Sequence, residues 1–204
     1  MTKKETKRQA ILDTAYKLFQ AQGFEKTSMS EINTLVGGSK ATIYSHFHSK
    51  EELFVECMMA ATEEYIVNII TLVDKSGNDP QIVLTEFGER FLGFICSSGM
   101  VAMRRLLIAE GNRFGIGKLF FAKIMALRAH VSALMSRFMS MGTLRDDDPQ
   151  LAADQLRALL EAELLESLLL EARNDTPDQQ EITLAVQRAI TTFLRAYAPV
   201  TNSN

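Results

Sequence analysis

The sequence is poor in the residues that disulfide-rich folds require. Only two cysteines occur among 204 residues, Cys57 and Cys96, and they have no CxxC spacing. A disulfide framework is therefore not expected, and a reducing compartment fits the composition. We interpret both residues as buried structural thiols. The alternative, a redox switch, would need an exposed cysteine pair with a lowered pKa.

Catalytic signatures are also missing. The chain contains no GxSxG, no phosphate-binding GxGxxG or GxxxxGK[ST], and no HExxH, which argues against the common hydrolase, nucleotide-binding and zinc-protease classes. The pair His46-x-His48 has no nearby cysteine or carboxylate triad to complete a metal site. We therefore predict no enzymatic activity, no cofactor and no metal.

No apolar segment is long enough to cross a membrane. The longest charge-free run, 91–103, has thirteen residues, whereas a spanning helix needs about 18 or more. The N-terminal MTKKETKRQ has no apolar core of a signal peptide. We therefore expect a soluble, cytoplasmic protein with no membrane partner, and the 47% apolar content is ample for a buried core.

Charge is unevenly distributed along the chain. Residues 1–50 contain eight Lys and Arg against four acidic residues, a net charge of +4, so the remaining 154 residues carry −7. This asymmetry favours a basic head that binds nucleic acid on an acidic body, although a charged segment is more often only a solvated surface.

The most informative stretch runs over residues 28–47, SMSEINTLVGGSKATIYSHF. Ser28 followed by Glu31 is a capping box, which predicts a short helix that the pair Gly37-Gly38 ends. Ser39 then caps a second helix. Outside its core-facing positions this second helix presents hydrogen-bond donors and no acidic side chain, which suits an anionic partner. The pattern is typical of a helix-turn-helix.

With its flanking residues, this stretch resembles the N-terminal DNA-binding domain of TetR-family transcriptional regulators. The matching positions are Ala15, Leu18, Phe19, Gly23, Phe24, Thr27, Gly38-Ser39-Lys40, Ile43, Tyr44, Phe47 and Ser49-Lys50-Glu51. The chain departs from the family pattern at Asn33, where a small alanine is usual, and at Gly38, where a branched apolar residue is usual. Both departures predict a slightly looser turn.

The whole sequence predicts an all-α protein of about nine helices. Apolar residues recur at helical spacing, and Asp79-Pro80, Asp148-Pro149 and Thr176-Pro177 each place a capping oxygen before a proline at the first helical position. We expect a three-helix DNA-binding domain over 1–48 and a helical ligand-binding and dimerisation domain over 49–204. The predicted helices span about residues 5–22, 28–36, 40–47, 49–73, 80–97, 99–110, 116–141, 149–173 and 178–197.

The predicted helix over 149–173 carries more leucine than one buried face needs. Its leucines lie at positions 151, 156, 159, 160, 164, 165, 168, 169 and 170. Because exposed apolar patches usually mark interfaces, we expect this helix and the last one to pair with their copies in a homodimer. The resemblance to the TetR family implies the same four-helix bundle, and a fully internal helix is the alternative. The predicted interface residues are Leu159, Leu160, Leu164, Leu168, Ile190 and Phe193.

Phenylalanine and methionine are concentrated in residues 87–141, with seven of the twelve phenylalanines and six of the ten methionines. Such residues are more often core, but an adaptable Met-rich interior also suits an apolar ligand. The segment over 104–121 resembles the C-terminal domain of the AefR-like branch of the family, where a proline usually replaces Gly115. The predicted ligand-lining residues are Met58, Phe91, Met103, Phe114, Phe121 and Met125.

These patterns predict a ligand-responsive TetR-type repressor that binds a palindromic duplex as a homodimer and is released by a small apolar effector. The second helix of the motif would enter the major groove, with Lys40 and Ser45 as base contacts. The resemblance implies Tyr44 and Lys50 as phosphate contacts. The other predicted DNA-binding residues are Thr27, Ser28, Ser39, Thr42 and His46.

Two further classes of function remain open from the sequence alone. One is an effector-independent architectural protein that binds DNA constitutively. The other is an enzyme or carrier that keeps the DNA-binding head only as a scaffold, and such a protein would show no sequence preference on DNA.

Overall fold

Helices account for all the regular structure in residues 2–60, 77–112, 115–173 and 175–199, which are the parts of the chain that the computed structural model describes. The all-α prediction is confirmed. The helices are α1 (Lys3–Lys26), α2 (Met29–Val36), α3 (Lys40–Tyr44), α4 (residues 50–60), α5 (Pro80–Ile95), α6 (Ser98–Glu110), α7 (Ile116–Ser140), α8 (Pro149–Glu161), α9 (Leu165–Leu169) and α10 (Gln179–Ala196). The predicted extension of α4 to residue 73 lies outside the described residues.

The chain divides into two compact units. The first comprises Met1–Glu64 and Ala102–Lys123, and the second comprises Tyr65–Val101 and Ile124–Asn204. The first unit thus combines the N-terminal helices with most of α6. The functional division at residue 48 stays a prediction.

Helix α1 begins at Lys3 because Thr2 caps it. The Thr2 hydroxyl accepts a hydrogen bond from the Glu5 amide, and the Glu5 carboxylate accepts one from the Thr2 amide at 2.6 Å, which completes a capping box. The helical geometry is broken at Gly23, whose φ of 80° favours glycine. This break turns the chain so that Phe24 is buried in the unit.

An aromatic cluster forms the centre of the first unit. The Phe19 ring lies 6.0 Å from the Phe24 ring and 5.0 Å from the Phe54 ring, measured between centroids, and Phe24 and Phe54 are 5.3 Å apart. All three side chains are buried, and the contact between Phe19 and Phe54 is edge-to-face, a favourable geometry for aromatic pairs. The cluster joins α1 to α4.

Helices α5, α8 and α10 surround the core of the second unit. The prediction that an Asp-Pro pair caps the start of a helix is confirmed for α5 and α8. Asp79 accepts a hydrogen bond from the Gln81 amide at 2.8 Å, and Asp148 accepts one from the Gln150 amide at 2.8 Å. The Thr-Pro prediction was wrong by two residues. Helix α10 begins at Gln179 because Asp178 and Glu181 form a capping box there.

The predicted helix over 149–173 is interrupted. Helix α8 ends at Glu161, and α9 begins at Leu165 after three turn residues. The break allows Leu160, Leu165 and Leu168 to be buried together, although the five-residue step from 160 to 165 is too long for one straight helical face. The breadth of the leucine stripe is thus partly absorbed inside the chain.

No single helix in the described ranges is both long and apolar enough to cross a membrane. Only α5 and α6 taken together, across the bend that separates them, reach the required length and composition. Six residues of α5 are buried within the protein, which is the pattern of a core helix.

Gly88 sets the distance between α5 and its neighbours. A Cβ atom at this position would lie 2.8 Å from Val186 Cγ1 of α10 and 3.0 Å from Leu160 Cδ2 of α8. Gly88→Ala should therefore lower the free energy of unfolding by about 1 to 3 kcal/mol through overpacking. Thermal and urea unfolding measure the effect.

Gly93 of the same helix is the matched control. Its Cβ would meet only Ile182 Cδ1, at an ordinary 3.7 Å. Gly93→Ala should be neutral or stabilising by up to about 1 kcal/mol, the gain in helix propensity. Equal destabilisation by both substitutions would contradict this account of the packing.

Candidate nucleic-acid interface and ligand groove

Helix α2 starts at a half-formed capping box. The Ser28 hydroxyl accepts a hydrogen bond from the Glu31 amide at 3.1 Å, as predicted. The Glu31 carboxylate accepts a hydrogen bond from Gln22 Nε2 at 2.9 Å instead of completing the box. The start of α2 is therefore tied to α1 through a side chain, which sequence spacing alone does not show.

The turn between α2 and α3 requires glycine and is held by side chains. Gly37 has a φ of 72° and Gly38 a φ of 145°, and both values strongly favour glycine. Asn33 Nδ2 donates to the Gly38 carbonyl at 3.0 Å. Lys7 Nζ donates to the Val36 carbonyl at 3.1 Å and also to the Gly37 carbonyl.

These contacts correct the prediction of a looser turn. The two positions that depart from the family pattern, Asn33 and Gly38, are hydrogen-bonded to each other. Together with Lys7 they give three consecutive carbonyl groups, those of residues 36–38, a side-chain donor. Since carbonyls at a helix C-terminus have no partner within the helix, these donors stabilise the end of α2.

Helix α3 is shorter than predicted, ending at Tyr44 instead of Phe47. The reason is local: the Ser45 hydroxyl donates to the Thr42 carbonyl at 2.7 Å, and the His46 amide bonds to the Ile43 carbonyl instead. The Thr42 carbonyl thus accepts the serine hydroxyl in place of the His46 amide, which would be its partner in a continued helix.

Helix α3 and the residues that flank it carry most of the predicted DNA-binding residues. Ile43 and Phe47 are buried beneath it, with 1% and 0% exposure. Tyr44 is 40% exposed, and Lys40 Nζ lies 6.0 Å from the centroid of its ring. Ser28, Ser39 and Ser45 are exposed, and Thr42 and His46 are half-buried. The surface therefore presents a cation, hydroxyls and an imidazole on a buried apolar base.

Thr27 does not belong to this surface. Its side chain is only 1% exposed, and its hydroxyl donates to the Gly23 carbonyl at 2.8 Å. The hydroxyl repairs the hydrogen bonding of α1 beyond the Gly23 break. The prediction that the Thr27 side chain contacts DNA is corrected to a structural role.

Lys50 also has an internal role. Its ammonium group donates to the Phe24 carbonyl at 2.8 Å and to the Thr27 carbonyl at 3.0 Å, and it lies 4.1 Å from the centroid of the Phe24 ring. An ammonium group has three N–H donors. These contacts use two of the three donors, and the role of Lys50 as a phosphate contact stays a prediction.

Basic residues of α1 extend the positive surface, and the sequence prediction missed their position. Burial and then the nearby charges of Lys4, Arg8 and Lys7 lower the pKa of His46, so its imidazole is neutral at pH 7. The Arg8 guanidinium lies 5.1 Å from the centroid of the Phe47 ring and pairs with Glu56 at 2.8 Å. The excess of positive charge in residues 1–50 was the available signal.

The predicted ligand-lining residues that the structure describes are divided between the two units. Phe91 stacks on Phe87 in the second unit, at 5.7 Å between centroids, and Phe121 is 58% exposed on α7. Met125 is half-buried on α7. Phe114 lies outside the described residues.

Met58 and Met103 do come together, in a groove of about 370 Å³ within the first unit. We call it the α1–α4–α6 groove after the helices that line it. Its lining residues are Tyr16, Phe19, Gln20, Gly23, Met58, Ala102, Met103, Arg105, Leu106 and Ala109.

Four of the predicted dimer residues belong to the core of the single chain. Leu160, Leu168, Ile190 and Phe193 are buried in the second unit. Leu159 and Leu164 are half-buried. Periodicity correctly marked these residues as apolar contacts, but the contacts are made within the chain.

Exposed apolar residues also lie on α8 and α10, the helices that carry most of the predicted dimer residues. Leu151 at the start of α8 is 47% exposed, and Leu184 of α10 is 44% exposed. Ala158 is exposed on the same side of α8, at helical spacing from Leu151.

Both cysteines are buried. Cys57 is buried, its Sγ lies 3.5 Å from the Leu12 carbonyl, and burial raises its pKa. Cys96 is buried in the other unit. Within the described residues no three His, Cys, Asp or Glu side chains are grouped as metal ligands.

Known protein families match both parts of the chain. The family model of bacterial regulatory proteins of the tetR family matches residues 11–57. The model described as the C-terminal domain of the AefR-like transcriptional repressor matches residues 82–199. Together they cover the helix-turn-helix and the helices of the second unit.

Individual proteins that resemble this chain are also described as regulators. The transcriptional regulator AcrR of Shigella flexneri is 34% identical over 111 residues, which cover 53% of this chain and about half, 50%, of that relative. A TetR-family regulator structure from Mesorhizobium loti has a TM-score of 0.83 at 25% identity and covers 97% of this chain and 100% of its own. The flavonoid-responsive regulator FrrA has a TM-score of 0.74 at 26% identity, with the same coverage.

Lys7→Met should lower the stability of the protein, because it keeps the aliphatic stem but removes the ammonium donor from the α2–α3 turn. We expect a loss of about 1 kcal/mol or more, since hydrogen bonds from charged donors are among the stronger ones. Thermal unfolding measures it.

Lys17→Met is the control, because Lys17 is an exposed lysine on the same helix. It removes the same charge and should change stability by less than about 0.5 kcal/mol. If the two variants unfold at the same temperature, Lys7 does not stabilise the turn.

Proposed function

Since this chain belongs to the TetR family of bacterial transcriptional regulators, we propose that it is a dimeric repressor of a palindromic operator, released by a small apolar effector. Members of this family regulate transcription and are not enzymes. The exposed, donor-rich side of α3 is the observation that carries the proposal, because its buried base and braced turn fix the geometry that groove binding needs. The AefR-like model, which describes a repressor, supports repression as the outcome.

Base reading is assigned to Lys40 and Ser45. The Lys40 ammonium donates to guanine N7 and O6 in the major groove. The Ser45 hydroxyl already donates to the Thr42 carbonyl, so its oxygen accepts from a base amino group. The hydroxyl of Tyr44 and the exposed lysine Lys4 bind phosphates.

Operator selection from random duplex DNA should return an inverted repeat. Two recognition helices related by a twofold axis read half-sites about one helical turn, roughly 34 Å, apart or a little more. Lys40→Ala should relax the base preference at one position per half-site and cost about 1 to 3 kcal/mol of binding free energy. Tyr44→Phe should weaken binding to all sequences alike.

Lys17→Ala is the control for the loss of one positive charge, since Lys17 is exposed on α1 and has no assigned DNA contact. It should leave sequence preference unchanged. Selected sequences without inverted symmetry would contradict binding as a dimer. A changed base preference in Tyr44→Phe would mean that Tyr44 contacts a base and not a phosphate.

Dimerisation is assigned to the exposed side of α8 and α10 and not to the buried leucines. Leu151 and Leu184 are exposed apolar residues on these helices, and the small side chain of Ala158 allows close approach of a second helix. The family resemblance supports a four-helix bundle made of two copies of this pair.

Leu184→Arg should convert a dimer into a monomer and abolish operator binding, because a single head loses the second half-site. Light scattering and operator titration measure both effects. Ile82→Arg is the matched control, since Ile82 of α5 is an equally apolar residue with 58% exposure outside the proposed interface. A wild-type monomer at micromolar concentration would remove the basis of the mechanism.

Release by an apolar effector is supported by FrrA, which is described as responsive to flavonoids. A thermal-shift screen of flavonoids and apolar antimicrobials should give hits that also weaken operator binding. Linkage requires that the operator weaken the binding of each effector by the same factor by which the effector weakens operator binding, typically about 1 to 3 kcal/mol. Hits that leave operator binding unchanged would favour the effector-independent architectural alternative.

A further inference from the structure

His46 lies beside three cations of α1, directly after the helix that carries the predicted base contacts. We propose that the His46 imidazole takes up a proton when duplex DNA binds and holds a phosphate as an imidazolium, so that DNA affinity rises as the pH falls. This inference rests on the proposed function for its partner, the DNA phosphate. It goes beyond that function because it makes DNA binding depend on a proton.

The position of the His46 ring is fixed by the end of α3. The His46 amide donates to the Ile43 carbonyl at 3.1 Å, and the ring centroid lies 6.4 Å from that of the buried Phe47 ring. The side chain is half-buried. Within the part of the chain that the structure describes, the ring nitrogens make no hydrogen bond that shifts the pKa of His46. A phosphate therefore displaces no protein partner from the ring.

The three cations beside the ring are Lys4, Lys7 and Arg8 of α1. Lys7 is held by hydrogen bonds to two carbonyls of the α2–α3 turn. Arg8 is held by a carboxylate of α4 at 2.8 Å and lies 5.1 Å from the centroid of the Phe47 ring. Because these contacts fix two of the cations without DNA, the free protein already opposes a positive charge on the ring.

Carboxylates of the neighbouring helices are engaged with other groups. Glu31 of α2 accepts a hydrogen bond from a glutamine of α1. On α4, Glu52 accepts hydrogen bonds from the amide and the ring of His48, and Glu56 pairs with an arginine of α1. Among the described residues, every charge that shifts the pKa of His46 is positive, and together with burial these charges lower it.

A DNA phosphate reverses this balance. The cations that oppose protonation of the ring also attract an anion to the same place, and a phosphate beside the ring favours its charged form. The imidazolium has two N–H donors where the neutral ring has one, and a hydrogen bond between two charged groups is stronger than one between neutral groups. The pKa of His46 is therefore higher in the complex than in the free protein, and binding takes up a proton.

The direction of the pH effect follows from the two pKa values of the ring. Below the lowered pKa of the free protein, the ring is charged in both states and DNA affinity is greatest. Affinity falls as the pH rises from that value to the pKa of the complex, and above both values it is constant because neither state carries the proton. Each head that takes up one proton changes affinity by at most about tenfold per pH unit.

Fluorescence anisotropy of labelled duplex DNA with the full-length protein, at constant ionic strength, measures this dependence. Wild-type affinity should be about tenfold or more higher near pH 6 than near pH 8. His46→Gln keeps a neutral N–H donor and should lose most of this difference. His48→Gln is the matched control, since the ring of His48 is bound to Glu52, and it should keep the difference. Equal pH dependence in the wild type and His46→Gln would overturn the proposal.

Proton NMR of the imidazole Hε1 resonances identifies the group that titrates. The resonance that is missing in His46→Gln should titrate at a higher pH with duplex DNA than without it. Lys4→Gln removes one of the opposing cations and should raise the titration midpoint of the free protein. Lys17→Gln, at an exposed lysine of the same helix, should leave that midpoint unchanged. A midpoint that DNA does not raise would also overturn the proposal.

Comparison of a selected operator with a random-sequence duplex separates this inference from the proposed function. An operator that is bound with the same affinity at both pH values would overturn proton uptake and leave the regulatory function intact. Proton-linked binding without any sequence preference would support the role of His46 and overturn the regulatory function, because phosphates are common to all duplexes. Absence of duplex binding at every pH would overturn both.

Discussion

The proposed DNA-binding surface depends on lysine ammonium groups that donate to backbone carbonyls. Lys7 binds the last carbonyls of α2, and Lys50 binds the carbonyls of Phe24 and Thr27 at the end of α1. Helices as short as α2 and α3 are not stable alone in water, and their terminal carbonyls lack partners within the helix. Lys7 supplies such partners for α2 from α1, and Lys50 supplies them for the end of α1 from α4, so the short helices are fixed in position by tertiary contacts.

Helix starts were well predicted because they are encoded locally. Asp79 and Asp148 accept amide hydrogen bonds one turn into their helices, a contact within three residues of chain. The capping box at Asp178 was missed because the neighbouring Thr-Pro pair gives a similar signal two residues earlier. The early end of α3 depended on which of two donors took the Thr42 carbonyl, a competition that periodicity does not resolve.

Site residues were harder to predict, since a residue type does not specify its partner. Thr27 and Lys50 match positions that suggest phosphate binding, yet their polar groups are bound to carbonyls of the same unit. Leu160 and Phe193 have the spacing of an interface and are buried within one chain. Apolar residues at helical spacing show that one face of a helix is buried, but not whether it is buried by the same chain or by a second copy.

The internal use of lysine and arginine has a consequence for the ionic-strength dependence of DNA binding. Of the eight basic side chains in residues 1–50, Lys7 and Lys50 donate to carbonyls, and Arg8 pairs with Glu56. The Glu56 carboxylate offsets the charge of Arg8, and the two lysines are held at carbonyls instead of being able to follow a phosphate, whereas the dependence of affinity on salt follows the number of phosphates neutralised. The interface should therefore lose less affinity with added salt than its composition suggests, and rely more on shape and hydrogen bonding.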